Sequence, residues 1–133
     1  MTVEFHWLKS PQVVGGTVSG VIGVEDMKEG VELLLSYLNT VGTEEQIHLL
    51  VNNDMRRLPG GLIEFRDTVY PLLQHPNLGW TVIYGLENHF VKALIETLLM
   101  VQHRSFYFAA TRAEAVAFLQ STDSSLPELE GVE

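Results

Sequence analysis

Apolar and polar positions alternate at the amino end of the chain, where Val3, Phe5 and Trp7 are interleaved with Glu4, His6 and Leu8. A period of two is the pattern of a half-buried strand, with one face on a core. The turn Lys9-Ser10-Pro11 and a second β-rich run from Gln12 to Ser19 complete a predicted hairpin. Gly15-Gly16 interrupts that run and implies a bulge or a close backbone approach, because glycine weakens a regular strand. From Gly23 to Thr43 the period becomes helical: Met27, Val31, Leu34, Leu35 and Leu38 share one face, and Glu25, Lys28, Glu29, Glu32 and Ser36 the other. Gly42 is the expected stop.

Gln46 to Val51 is short, rich in Ile, Leu and Val, and without clean alternation, as expected of a strand covered on both faces. Helical spacing returns after Gly60-Gly61 at Leu62, Phe65, Val69, Leu72 and Leu73, and Pro71 should kink that helix or end its regular part. Trp80 to Tyr84 reads as a strand, His89 to Gln102 as an apolar helix and Ser105 to Ala109 as a last strand. Thr111 and Glu114 then form a T-x-x-E capping box ahead of Ala115, Val116, Phe118 and Leu119. The order β-β-α-β-α-β-α-β-α predicts an α/β domain. Its sheet is mixed and mostly parallel, with about five strands, four helices and an antiparallel first edge. The domain is expected over 1–120. Residues 121–133 carry Asp123, Glu128, Glu130 and Glu133 with no base, and are expected to form an acidic, disordered tail.

Composition narrows the partners. Across 133 residues, 46% hydrophobic and 19% charged, 8 Lys+Arg face 17 Asp+Glu for a net charge of -9. The summed field repels polyphosphates, so nucleic acid is not an expected partner. The chain has no cysteine, which removes disulfides and thiolate chemistry and suits a reducing compartment. The amino end lacks a basic region followed by an apolar stretch, and the apolar run 91–101 is interrupted by Lys92 and Glu96. No secretory signal and no stable membrane insertion are expected, and a cytoplasmic location is the default.

The stretch from Leu49 to Gly61 joins a buried strand to a helix through a charged turn, the place where open α/β sheets keep ligand sites. Asn53, Asp54, Arg56, Arg57, Gly60 and Gly61 are the candidate contact loop for an anion or a partner, with bidentate donors on the arginines and free amides at the next helix start. The alternative is that Asn and Asp satisfy the turn and the arginines pair with surface acids. The helix around 91–101 carries more apolar circumference than one sheet contact needs. Either it is sandwiched in the core, or its outer strip meets a second subunit or an apolar ligand. Candidate residues for such a surface are Trp80, Tyr84, Phe90, Met100, Phe106 and Phe108.

Catalytic patterns are missing. The five histidines form no H-x-x-x-H or H-E-x-x-H pair, so no metal site is expected, and His48 within an apolar strand reads as a neutral core histidine. Glu25, Asp26 and Glu29 sit where a helix dipole favours negative charge. Gly15 to Gly20 is followed by Val21-Ile22 and not by the Lys-Ser or Lys-Thr of a phosphate loop, and no G-x-S-x-G elbow occurs.

Three local patterns, GVIGVEDM from Gly20 to Met27, LLVNNDMRRLPGGL from Leu49 to Leu62 and SFYFAATRAEAVAFL from Ser105 to Leu119, together with the element order, give the chain a resemblance. It resembles the SpoIIAA-like proteins of the STAS group, related to a CRAL-TRIO-like branch, over roughly residues 3 to 120. The resemblance implies a docking fold, with a proposed capacity for apolar ligands in related branches. Anti-sigma-factor antagonists of the group carry an Asp-Ser-Ser-Gly-like turn whose serine is phosphorylated. Here Leu58-Pro59-Gly60-Gly61 stands in its place, and no serine or threonine occurs between Glu44 and Asp67. The expected function is a non-catalytic interaction or regulatory module without the phosphoacceptor and without a cofactor, docking a protein partner or a second copy as a homodimer. The alternatives are a binder of a small apolar or amphipathic, lipid-like ligand and, last, an enzyme using His48 or Asp54.

Overall fold

Sequential strands of an open sheet lie side by side when each crossover is right-handed and steps in one direction, and all the crossover helices then share a face. The computed structural model, which describes residues 2–42, 44–123 and 126, has this arrangement. Among the described residues the order is β1 (Thr2–Lys9), β2 (Val13–Gly20), α1 (Val24–Leu38), β3 (Ile47–Met55), α2 (Leu62–Leu73), β4 (Leu78–Tyr84), α3 (His89–Val101), β5 (Phe106–Ala109) and α4 (Arg112–Thr122). The five strands form one sheet in the order β1-β2-β3-β4-β5. β1 is antiparallel to β2, and the remaining pairs are parallel. This is the α/β class and element order that the periodicities predict.

Two apolar layers hold the sheet. On one face Phe5, Val14, Leu49, Val51 and Ile83 meet Met27, Val31 and Leu34 of α1, Phe65 and Val69 of α2, and Val91, Ile95 and Leu98 of α3. On the other, Leu8, Val13, Leu50, Val82 and Ala109 meet Ala115, Val116 and Leu119 of α4. Thr111 caps α4 as its sequence predicts, its hydroxyl accepting the Glu114 N–H at 3.2 Å. The Gly15-Gly16 pair marks a close approach and not a bulge. A Cβ on Gly16 would lie 2.2 Å from Cδ1 of Phe5, whereas the β1–β2 register shifts between Trp7 and Lys9.

Several boundaries differ from expectation, each for a local reason. α1 stops at Leu38, short of Gly42, where Asn39 caps it and the Thr40 hydroxyl donates to the Tyr37 carbonyl at 2.7 Å. The Gly42 carbonyl instead accepts from Asn77 Nδ2, which also donates to the Glu45 carbonyl. α2 passes through Pro71 and ends at Leu73; an exposed proline so near a carboxyl end removes one hydrogen bond whose carbonyl water can reach. β3 runs four residues past Val51, because Asn52 to Met55 continue the ladder with Thr17 to Gly20. α4 extends through Thr122, past the expected boundary at 120. Of the expected tail beyond it, only Asp123 and Leu126 are among the described residues. No described helix is long and apolar enough to cross a membrane.

Candidate functional site

Parallel strands deliver the starts of their following helices to one end of the sheet, and open α/β sheets bind ligands there. At that end the structure has a groove of about 720 Å³. Ile22, Gly23 and Val24 at the start of α1 form one side, Phe90, Val91 and Leu94 of α3 the other, and the connection from Arg56 to Leu62 runs between them.

The connection is held at each point by its own chemistry. The Arg56 N–H donates to the Gly20 carbonyl at 3.2 Å, and the Arg56 carbonyl accepts from Asn88 Nδ2 at 3.1 Å. Asn88 simultaneously caps α3, its Oδ1 accepting the Val91 N–H at 3.0 Å, so one side chain joins the loop to the helix. Leu58 is buried. The Gly61 N–H then closes a tight turn onto the Leu58 carbonyl at 3.1 Å. Gly60 and Gly61 have φ of 73° and 88°, left-handed values that favour glycine. A Cβ on Gly60 would fall 2.7 Å from Cγ2 of Val24, so the bare turn packs directly on α1.

The groove combines apolar walls with a cationic floor. Leu62 and Phe90 line it 48% and 73% exposed. Arg56 and Arg57 are also exposed, and among the described residues neither guanidinium meets a carboxylate. Neither α1 nor α2 has a side-chain N-cap, since Gly23 and Gly61 occupy those positions. Glu25 and Asp26 in the first turn of α1 already complement its dipole. Glu64 does the same in the first turn of α2, so positive charge at the groove is concentrated at the arginines.

Of the candidate loop, Arg56, Arg57, Gly60 and Gly61 line the groove. Asn53 and Asp54 belong to β3 and do not. Asn53 is buried and its Oδ1 accepts the Met55 N–H at 3.0 Å, a structural role. The six candidate apolar residues do not share a surface, and the register explains why. Thr81 and Ile83 pair with Phe106 and Phe108, while Val82 and Tyr84 pair with Tyr107 and Ala109. Phe106 and Phe108 therefore face the three-helix layer, 5.8 Å apart edge to face. Trp80 and Tyr84 face α4, where Trp80 meets Phe118 at 5.0 Å. Met100 is exposed on α3, and only Phe90 of the six lines the groove. Ile22, Val24, Leu62 and Leu94 were not among the candidates; the rule that helix starts gather at the carboxyl ends of strands points to them once the sheet order is known.

His48 is buried, as its apolar strand implies. Its Nδ1 accepts the Trp80 N–H at 2.9 Å and its Nε2 lies 2.8 Å from Asp123 Oδ2. It sits near the amino end of β3 and Asp54 near the carboxyl end, six residues and roughly 20 Å apart, so the structure does not bring them together. The titrating groups that burial perturbs lie away from the groove. Burial lowers His75 and Arg104, and it raises Tyr107 together with the adjacent Glu114 carboxylate. Among the described residues no three His, Asp or Glu side chains are grouped to hold a metal ion. Comparison of the chain with protein-family models, curated proteins and solved structures finds no match.

Proposed function

We propose that this chain is a non-catalytic, STAS-like binding module that docks an amphipathic, acidic segment of a partner protein in the groove between α1, α2 and α3. The observation that carries this reading is the pairing of Arg56 and Arg57, without carboxylate partners among the described residues, with an exposed apolar rim. In a chain of net charge -9, a local cationic spot selects a partner with a local acid and disfavours a like-charged one. Exposed Phe90 and Leu62 would remain wet around an occupant confined to the floor, so a segment broad enough to cover them is favoured. The absence of a phosphoacceptor at Pro59-Gly60 makes the docking constitutive in this respect. Affinity capture with the wild-type chain, followed by calorimetry of the purified partner against Arg56→Ala and Arg57→Ala, tests the reading. A loss of about tenfold or more is expected; undiminished binding rejects the groove.

A second reading is favoured by one quantity. At about 720 Å³ the groove falls within the range of roughly 300–1,000 Å³ typical of small-molecule sites, and a lipid-like carboxylate would place its head on the arginines. Native mass spectrometry of protein prepared without detergent separates the two: a bound small molecule displaced by Phe90→Glu supports this alternative, and an empty chain sinks it.

A further inference from the structure

The charged residues in the groove lining are Arg56 and Arg57. Glu25, Asp26 and Glu64 stand in the first turns of α1 and α2, outside that lining. Several cations elsewhere are engaged: Lys28 lies beside Glu25, Arg66 beside Asp67 and Lys92 over the Phe108 ring at 5.3 Å, and Arg104 donates to the Leu78 carbonyl. An acidic segment therefore has its best purchase on this adjacent, exposed pair, provided that it also brings an apolar side chain to Leu62 and Phe90.

The chain itself contains such a segment. From Glu128 to Glu133 it carries the acids Glu128, Glu130 and Glu133, the apolar Leu129 and Val132, and no base. In an extended segment residues two apart share a side, so Glu128 and Glu130 can meet the arginines together while Leu129 turns to the apolar wall. Reach excludes the chain's own groove. Asp123 is held on His48 near the amino end of β3, and Leu126 packs in the α4 layer, on the sheet face opposite α1, α2 and α3. Arg56 lies just past the carboxyl end of β3, roughly 25 Å from His48 along the strand. Fully extended from Leu126, Glu128 and Glu130 advance by only about 7 and 14 Å, and the segment must still pass round the sheet.

We propose that the occupant of the groove is the segment Glu128 to Glu133 of a second copy of this chain, with Glu128 and Glu130 on Arg56 and Arg57 and Leu129 against Leu62 and Phe90. The inference rests on the reading of the groove as a docking site and names its partner. Groove and segment are different surfaces, so the contact is heterologous: it closes when two copies exchange segments and otherwise continues from copy to copy.

Sedimentation equilibrium of the full-length chain at low ionic strength tests it. The apparent mass is expected to exceed that of one chain, to rise with concentration and to fall back at high ionic strength. A tail variant, Glu128→Lys with Glu130→Lys, and a groove variant, Arg56→Glu with Arg57→Glu, are each expected to associate about tenfold or more weakly at an unchanged melting temperature. Mixed in equal amounts they are expected to regain association, because the lysine-bearing tail of one meets the glutamate-bearing groove of the other, and the reverse contact is that of the wild type. A single-chain mass at every concentration, association undiminished in the tail variant, or a mixture that stays dissociated each overturns the proposal. If the chain stays single while an independent partner still loses affinity for Arg57→Ala, the self-docking fails and the groove keeps its docking role; if neither responds to the arginines, both readings fail.

Discussion

His48 Nε2 lies 2.8 Å from Asp123 Oδ2, joining a buried strand residue to the first residue after the last helix. The ring's other nitrogen accepts the Trp80 N–H, so Nδ1 carries no proton and Nε2–H is the donor to Asp123. The histidine thus fastens the end of α4 across β3 and β4. His48→Ala leaves the Trp80 N–H without its acceptor and opens a cavity. We expect a loss of about 2–4 kcal/mol by urea denaturation. His48→Asn, whose Oδ1 can take the place of Nδ1, is expected to lose less than half as much. Gly79→Ala should resemble the alanine variant, because its Cβ would fall 2.5 Å from His48 Nδ1.

His75 predicts a pH dependence of defined sign. Its Nδ1 accepts the Asn77 N–H at 3.0 Å and its Nε2 meets Asn39 Oδ1 at 2.7 Å, an arrangement that only the neutral ring satisfies. Burial accordingly holds its pKa below the ordinary 6.5. The unfolded chain then binds the proton more readily than the folded one, so this contribution is complete above about pH 6.5 and is lost as pH falls through the unfolded value, levelling below the folded one. Melting temperatures at about pH 7.5 and about pH 5.5 should fall further for the wild type than for His75→Asn. Equal falls would remove His75 as the cause.

The main architecture was readable because periodicity reports burial directly. The alternation at Val3, Phe5 and Trp7, the helical stripe from Met27 to Leu38 and the Thr111 cap all concern neighbours in sequence. What was not readable depended on distant partners. β3 continues through Asn53 only because β2 continues beside it, and α1 ends early while Asn77, far along the chain, takes up Gly42. The candidate aromatic wall failed for the same reason: Trp80 and Tyr84 part from Phe106 and Phe108 through a register that no local pattern states. Half of the groove was visible at Arg56 to Gly61, and its other walls come from helix starts that the sheet order assembles.

If the arginines serve a partner and not the fold, changing them should leave stability untouched. Exposed and without carboxylates among the described residues, Arg56 and Arg57 are expected to tolerate alanine within about 0.5 kcal/mol. Charge reversal is more telling for binding. Arg57→Glu should slow association with an acidic partner and flatten its dependence on salt, with dissociation changed less. Stopped-flow kinetics at low and high ionic strength reads this, and an unchanged association rate would place the partner's acids elsewhere.

Gly60 and Gly61 separate backbone strain from packing in the turn that shapes the groove. Both have positive φ, and Gly61, with ψ of 179°, lies in the extended positive-φ region that is nearly restricted to glycine, so alanine at either costs about 1–3 kcal/mol of backbone strain. Only Gly60 adds a collision, with Val24 Cγ2 at 2.7 Å and Glu64 Cβ at 3.0 Å, whereas a Cβ on Gly61 meets nothing within 4 Å. Gly60→Ala is therefore expected to cost about 3 kcal/mol in total and Gly61→Ala about half that. Because the collision is with α1, Gly60→Ala must push the loop away from Val24, and it should weaken partner binding beyond what its stability loss explains. Gly61→Ala should bind as the wild type does. Equal destabilisation by the two substitutions would mean that the turn relaxes freely, and that its contact with α1 does not set the width of the groove.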